Sequence, residues 1–149
     1  MRFWTAEVSM ARDHRKLRVF VDAHQLTLLI YKHTCNFPRD EWYVLRLQMR
    51  KAAVSVPSNL VEGNARRTTR EYVNFINISR ASGAELTYLV DLASELGYLA
   101  GAAFRELNTR CEQVCRQLEA LLHTMERLLA EENARKRLRR QAKETKTKD

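Results

Sequence analysis

Apolar residues recur along most of the chain at steps of three and four, the period of a helix that buries one face. Leu17, Phe20, Val21, His24, Leu28 and Tyr31 trace such a stripe from about Lys16 to Cys35, and Leu26, Leu29 and Ile30 widen it. Asn36-Phe37-Pro38 interrupts the pattern, because proline disfavours helical geometry in the residue before it. A second helix is expected with Pro38 in its first turn, where a missing N–H costs nothing. Asp40 and Glu41 beside it suit the positive end of the dipole. Its core stripe is Trp42, Leu45, Met49, Ala52, Val56 and Leu60, and Gly63-Asn64 is the expected stop. Pro57 lies inside that stripe and offers no donor to the carbonyl of Ala53. A kink or local unwinding over Ala53–Pro57 is therefore expected, with Ser55 or Ser58 satisfying the freed groups.

Thr68-Thr69-Arg70-Glu71 reads as a capping box that starts a third helix. Tyr72, Phe75, Ser79, Ser82, Leu86, Leu89, Ala93 and Leu96 mark its core face, and Ser79, Ser82 and Gly83 are small enough for a close helix approach. Ile76, Ile78, Tyr88, Val90 and Leu92 lie beyond that stripe. An apolar surface wider than one bundle face suggests a subunit interface. Gly97 closes the helix. A fourth helix then begins near Gly101–Phe104, and Phe104, Leu107, Cys111, Val114, Leu118, Leu121, Met125 and Leu128 give it a near-perfect heptad seam. Beyond Glu132 the pattern gives way to Arg135-Lys136-Arg137-Leu138-Arg139-Arg140, which either extends the helix or frays. Four helices on short connections predict an all-α, antiparallel up-down four-helix bundle. The expected divisions are an N-terminal extension over 1–15, the bundle over 16–132 and a basic tail over 133–149.

Composition narrows the classes. Only 4 glycines and 2 prolines in 149 residues argue against a turn-rich all-β fold or a Gly-rich α/β enzyme. Hydrophobic content of 45% beside 30% charged residues is too apolar for a disordered chain. Three cysteines without framework spacing argue against a disulfide-built domain. No run approaches the roughly 18 apolar residues of a membrane span. Met1–Glu7 lacks the apolar core of a signal peptide, so a cytoplasmic location and no membrane partner are expected.

The net charge of +8 is unevenly placed: residues 1–70 carry +7, residues 71–132 carry −5 and residues 133–149 carry +6. A basic chain favours polyanions. Arg46 and Arg50 are one turn apart with Lys51 beside them. Arg66 and Arg67 precede the Thr68 cap, and Arg70 sits in the first turn of the third helix. Cations oppose the dipole at a helix start, so three arginines there make sense if an anion, phosphate foremost, docks among them. The competing reading is a solvated loop pairing with Glu62 and Glu71. Together with Arg135, Lys136, Arg137, Arg139 and Arg140, these residues form the candidate nucleic-acid surface, as a patch around Arg46–Arg70 and a separate tail. Exposed aromatics for base stacking are not obvious: Trp4 and Trp42 could serve, but Trp42 reads as core. Binding would rest on phosphate charge and shape, with a steep salt dependence.

Enzyme signatures are absent: there is no phosphate loop, no nucleophile elbow and no H-E-x-x-H. No catalytic residue and no cofactor are assigned. The pairs His33/Cys35 and Cys111/Cys115 match no standard zinc spacing, so no metal site is assigned either. Cys111 is expected as a small apolar core residue and His24 as a hydrogen-bonded core histidine.

Several segments carry a resemblance. They are Phe37-Pro38-Arg39-Asp40-Glu41, the run Gln48 to Gly63 containing Ser-Val-Pro-Ser-Asn and Glu-Gly, Glu71-Tyr72-Val73-Asn74-Phe75, Ser82-Gly83-Ala84-Glu85-Leu86 and Glu95-Leu96-Gly97-Tyr98-Leu99. Over about residues 17–125 the chain resembles the bacterial 23S rRNA-intervening sequence proteins. The accessory variability proteins of diversity-generating retroelements are similar. The resemblance implies a bundle assembled as a ring-like homopentamer, a basic surface toward nucleic acid and no known catalysis. In the retroelement relatives it implies a reverse transcriptase and its template RNA as partners. By motif, Arg50, Pro57, Asn59, Glu62 and Gly63 carry over, the last four as structural residues. The segment before Lys16 and the tail from Arg135 depart from the compact pattern. The expected function is thus a non-catalytic, oligomeric protein that binds nucleic acid, RNA foremost. A reverse-transcriptase accessory protein and a protein-interaction scaffold are the alternatives.

Overall fold

A computed structural model describes residues 14–146 and is all helical over them. Its helices are α1 (Arg18–His33), α2 (Leu45–Asn64), α3 (Thr69–Glu95) and α4 (Gly101–Lys146), with 3₁₀ turns at His14–Lys16 and Arg39–Glu41. Trp4 and most of the N-terminal extension lie outside the described residues. α2 packs most extensively on α3, α3 packs on α4, and α1 closes the circuit against α2 and α4. The helices form an antiparallel four-helix bundle in which α1 and α3 stand on a diagonal.

α1 buries a face other than the expected one. Val19, Ala23, Leu26, Thr27 and Ile30 point inward, whereas Val21, Leu28 and Tyr31 are 46%, 51% and 44% exposed. His24 is exposed and stacks on Phe20. The helix carries two apolar stripes, and the buried one is the one whose small Ala23 and hydroxylic Thr27 let α2 come close.

α2 starts at Leu45, after the 3₁₀ turn, and not at Pro38. Trp42 consequently leaves the core. Its ring is 40% exposed and its indole Nε1 donates to the Phe37 carbonyl at 3.0 Å. Phe37 is buried in its place, with its ring 5.5 Å from that of Tyr98. From Leu45 the expected stripe is buried as far as Leu60. No unwinding occurs at Pro57, which is buried within continuous helix. Neither Ser55 nor Ser58 caps the freed carbonyl. Thr27 Oγ1 on α1 lies 2.8 Å from Ala53 O and 2.9 Å from Ala23 O, so its one proton is shared between helices.

α2 meets α3 through small and hydroxylic residues. Ser55 and Ser82 hydroxyls are 2.8 Å apart, and Ser79 donates to Val56 O at 2.8 Å. Gly63 is the closest approach: a Cβ there would stand 2.6 Å from Phe75 Cβ. It lies in the last turn of α2, which ends at Asn64 as expected.

α3 begins at the expected capping box, with the Thr68 hydroxyl accepting from the Glu71 N–H and the Glu71 carboxylate accepting from the Thr68 N–H. Ile76 and Val90 prove fully buried, so the outward apolar surface of α3 is narrower than expected. Ile78, Tyr88 and Leu96 remain exposed on it. α4 buries its seam at Leu107, Cys111, Val114, Leu118 and Met125, with Leu122 further inside than Leu121. The helix is 46 residues long and carries the basic tail as a continuation. Leu129 is the last apolar residue packed on the core, and Thr69 on α3 donates to Glu132 at 2.7 Å. Residues 133–146 therefore project past the bundle as about 20 Å of helix.

Candidate nucleic-acid interface

The projecting helix inherits its register from the core. Leu118, Leu122, Met125 and Leu129 line the inward face of α4 at steps of four, three and four. Steps of three and four continue through Glu132, Lys136, Arg140 and Lys143. Beyond Leu129 the bundle-facing strip thus changes from apolar to charged. A strip of that kind cannot extend a hydrophobic core. It lies instead along the bundle's end, beside the first turn of α3.

Arg70 from that first turn lines two concave surfaces together with residues of the projection. One concave surface of about 240 Å³ is lined by Thr68, Thr69, Arg70, Glu132, Asn133 and Lys136 among others. A second of similar size is lined by Arg70, Asn133, Lys136, Arg137 and Arg140. A third, against Glu132, carries Arg135, Lys136 and Arg139. The tail and the start of α3 thus line common concave surfaces. Among the described residues Glu132 is the acidic one lining these surfaces, and its carboxylate accepts from the Thr69 hydroxyl.

The remaining candidates are dispersed. Arg46 lies with its guanidinium 4.9 Å from the centre of the Trp42 ring, and Arg39 sits 5.9 Å from the same ring. Arg50 is turned inward: its Nε donates to Thr34 Oγ1 at 3.0 Å, its Nη2 to Tyr31 O at 3.3 Å, and it covers the Tyr31 ring at 4.4 Å. It satisfies orphan acceptors at the end of α1. Lys51 is exposed on α2. Arg66 pairs with Glu62 at 2.6 Å and covers the Phe75 ring at 4.7 Å, while Arg67 is exposed. Hydrogen bonds from Thr68 hold the Glu71 carboxyl below the usual range, and the charges of Arg66 and Arg67 add to that effect. Arg46 and Arg66 are separated by the length of α2, roughly 30 Å. The stretch Arg46–Arg70 is thus divided between the two ends of the bundle.

The structural motif residues act within α2 and at its junction with α3. Pro57 is buried, Asn59 Nδ2 donates to Ser55 O at 2.7 Å and to Ser55 Oγ at 3.0 Å, Glu62 holds Arg66, and Gly63 sets the helix crossing. Sequence reasoning missed Asn133 and Arg39. The change of charge sign at Glu132 was the available signal for Asn133. It also missed exposed aromatics: Trp42, Tyr43 (83% exposed) and Tyr88 (63%) face solvent.

Burial pushes the Cys111 thiol up to about 12, and the neighbouring Cys115 adds to the shift. His33 is bound to Glu106 at 3.0 Å, tying α1 to α4. Among the described residues, no three His, Cys, Asp or Glu side chains gather closely enough to hold a metal ion. No helix among them is long and apolar enough to cross a membrane.

Fold and site together define an all-α four-helix bundle with a basic helical projection at one end. The family model described as 23S rRNA-intervening sequence protein matches residues 15–120, and the chain belongs to that family. A solved structure with the same fold is that of a protein with unknown function, from the S23 ribosomal protein family of Bacteroides thetaiotaomicron. It is 18% identical with a TM-score of 0.63, and the match covers 70% of this chain and 97% of that one. No curated protein matches. The basic projection lies beyond the span that the family model matches.

Proposed function

We propose that the protein is a non-catalytic, oligomeric nucleic-acid-binding protein, with RNA the foremost ligand, gripping phosphates at the basic end of the bundle. The observation that carries this reading is the convergence of Arg70 on α3 with Lys136, Arg137 and Arg140 on α4 around one concave surface. Among the described residues no carboxylate lines that surface, and guanidinium groups suit phosphate oxygens. The test is RNA binding by fluorescence anisotropy across a salt series. The logarithm of affinity should fall linearly with the logarithm of salt concentration. An affinity indifferent to salt overturns the reading.

Oligomerisation is the second part of the proposal. Val21, Leu28 and Tyr31 on α1 and Ile78, Tyr88 and Leu96 on α3 are exposed apolar residues on diagonally placed helices. Two unlike outward faces suit a head-to-tail contact, and such contacts close into rings when the rotation permits. The homopentamer implied by the resemblance is one such ring. A ring repeats the basic end in every subunit, so weak contacts add through multivalency. Light scattering on Leu28→Glu and Tyr88→Glu proteins checks this: both should shift toward monomer.

A second reading, an accessory protein docking on a reverse transcriptase, is favoured by the exposed Glu85, Asp91 and Glu95 beside Tyr88 on α3. That mixed acidic and apolar face suits a basic protein partner. Co-purification with a reverse transcriptase encoded nearby, kept in Leu28→Glu and lost on Tyr88→Glu, separates it from plain self-assembly.

A further inference from the structure

The basic end differs from a single-strand site in what it lacks. Single-stranded nucleic acid is held by aromatic platforms on which bases stack, in addition to charge. Residues 133–146 contain no aromatic residue, and among the described residues none lines the Arg70–Arg140 surface or its two neighbours. The exposed Trp42 and Tyr43 precede α2, at the opposite end of the bundle from the start of α3. The described residues at the basic end therefore offer a ligand charge and hydrogen-bond donors and no stacking platform.

The cations are also rigidly spaced. Lys136, Arg137, Arg139 and Arg140 belong to a continuous helix and Arg70 to another, and Glu132 and Thr69 fasten the two together at the base of the projection. On a helix of 3.6 residues per turn these four tail cations spread over a wide arc, with Ala134, Leu138 and Gln141 on the remaining side. A stiff, broad charged surface matches a ligand whose phosphates are themselves stiffly placed at high density. A double helix carries one phosphate per roughly 1.7 Å of axis, on two strands flanking a groove. A flexible single strand would have to be ordered on the surface, with no stacking energy to offset that entropy.

We propose that the fork formed by Arg70 and the α4 projection is a backbone clamp for double-helical nucleic acid, recognising duplex in preference to single strand. The proposal rests on the nucleic-acid-binding reading above and specifies its ligand class. The projection lies beyond residues 15–120 and Arg70 within them, so the clamp joins the span that the family model matches to the segment that follows it.

The test uses the full chain and two fluorescein-labelled probes: an RNA duplex of about 20 base pairs, somewhat longer than one double-stranded-RNA module spans, and one of its strands alone. Anisotropy titrations run at several salt concentrations on the wild type, Arg70→Gln and the triple variant Lys136→Gln, Arg137→Gln, Arg140→Gln. These positions are exposed, and circular dichroism checks that each variant is folded. The duplex should bind at least about tenfold tighter than the strand. Removing one phosphate-binding cation should flatten the salt slope by about 0.9 or slightly less. Both variants should lose duplex affinity, with the strand much less affected. Equal or tighter binding of the single strand overturns the ligand class while leaving nucleic-acid binding intact. Duplex preference unchanged in both variants overturns the location. Failure of the wild type to bind either probe overturns the functional reading itself.

Discussion

Thr27 Oγ1 on α1 stands 2.8 Å from the carbonyl oxygen of Ala53 on α2, the acceptor that Pro57, four residues later, has no N–H to satisfy. One helix thus supplies the donor that another helix lacks. Both groups are buried, so the bond also fixes how α1 sits on α2.

Thr27→Val keeps the shape and removes the donor. It leaves a buried carbonyl without that partner and should cost about 1–3 kcal/mol. Pro57→Ala provides an N–H in its place. The double variant should therefore lose less stability than the sum of the singles, and urea denaturation of all four proteins measures the coupling. Additive losses would show that Thr27 acts through packing alone.

Gly63 yields a second outcome. A Cβ there meets Phe75 Cβ at 2.6 Å and Tyr72 Cδ2 at 3.0 Å, and Phe75 Cβ cannot swing away without moving the α3 backbone. Gly63→Ala raises helix propensity, yet overpacking should dominate and cost about 1–3 kcal/mol. At this chain length that corresponds to a fall in Tm of about 2–4 °C per kcal/mol. A thermal melt that rises instead would show that α2 and α3 slide apart without penalty.

What could be read in the sequence was what depends on neighbours along the chain. The Thr68–Glu71 box is closed within four residues, and the α4 seam repeats without interruption, so both were legible. The face of α1 was not. Its Val21–Leu28–Tyr31 side repeats at helical spacing too, so period alone does not choose the inward face, and the Ala53 carbonyl that Thr27 meets lies on another helix. The role of Arg50 was hidden for the same reason, since Tyr31 and Thr34 lie outside its own helix. The charge of the tail was plain. Its union with Arg70 depends on Thr69 meeting Glu132 across 63 positions, which no local period reports.

Arg50 should behave as a structural residue. Its guanidinium joins the Thr34 hydroxyl, the Tyr31 carbonyl and the Tyr31 ring. Arg50→Gln should lower stability by about 1 kcal/mol, from one charged hydrogen bond and a partly exposed cation–π contact. Anisotropy with the RNA duplex should show its affinity nearly unchanged, unlike Arg70→Gln. A large affinity loss in folded Arg50→Gln protein would return Arg50 to the binding surface.

The cysteines should separate by environment. Cys35 is exposed, whereas Cys111 is buried on the α4 seam with its thiol pushed from 9.0 up to about 12. Thiolate is the reactive form, so at pH 8 a thiol reagent should modify Cys35 promptly and Cys111 only on unfolding. The same shift sets the sign of an alkaline effect. The folded chain keeps the Cys111 proton that the unfolded chain releases near pH 9, so this contribution is complete below that pH. It is lost progressively as pH rises from about 9 toward 12. Cys111→Ala removes the titration at the cost of a small cavity. Its stability deficit relative to wild type, measured by denaturation in urea, should therefore shrink between pH 8 and pH 11. A deficit that stays constant would mean that Cys111 ionises alike in both states.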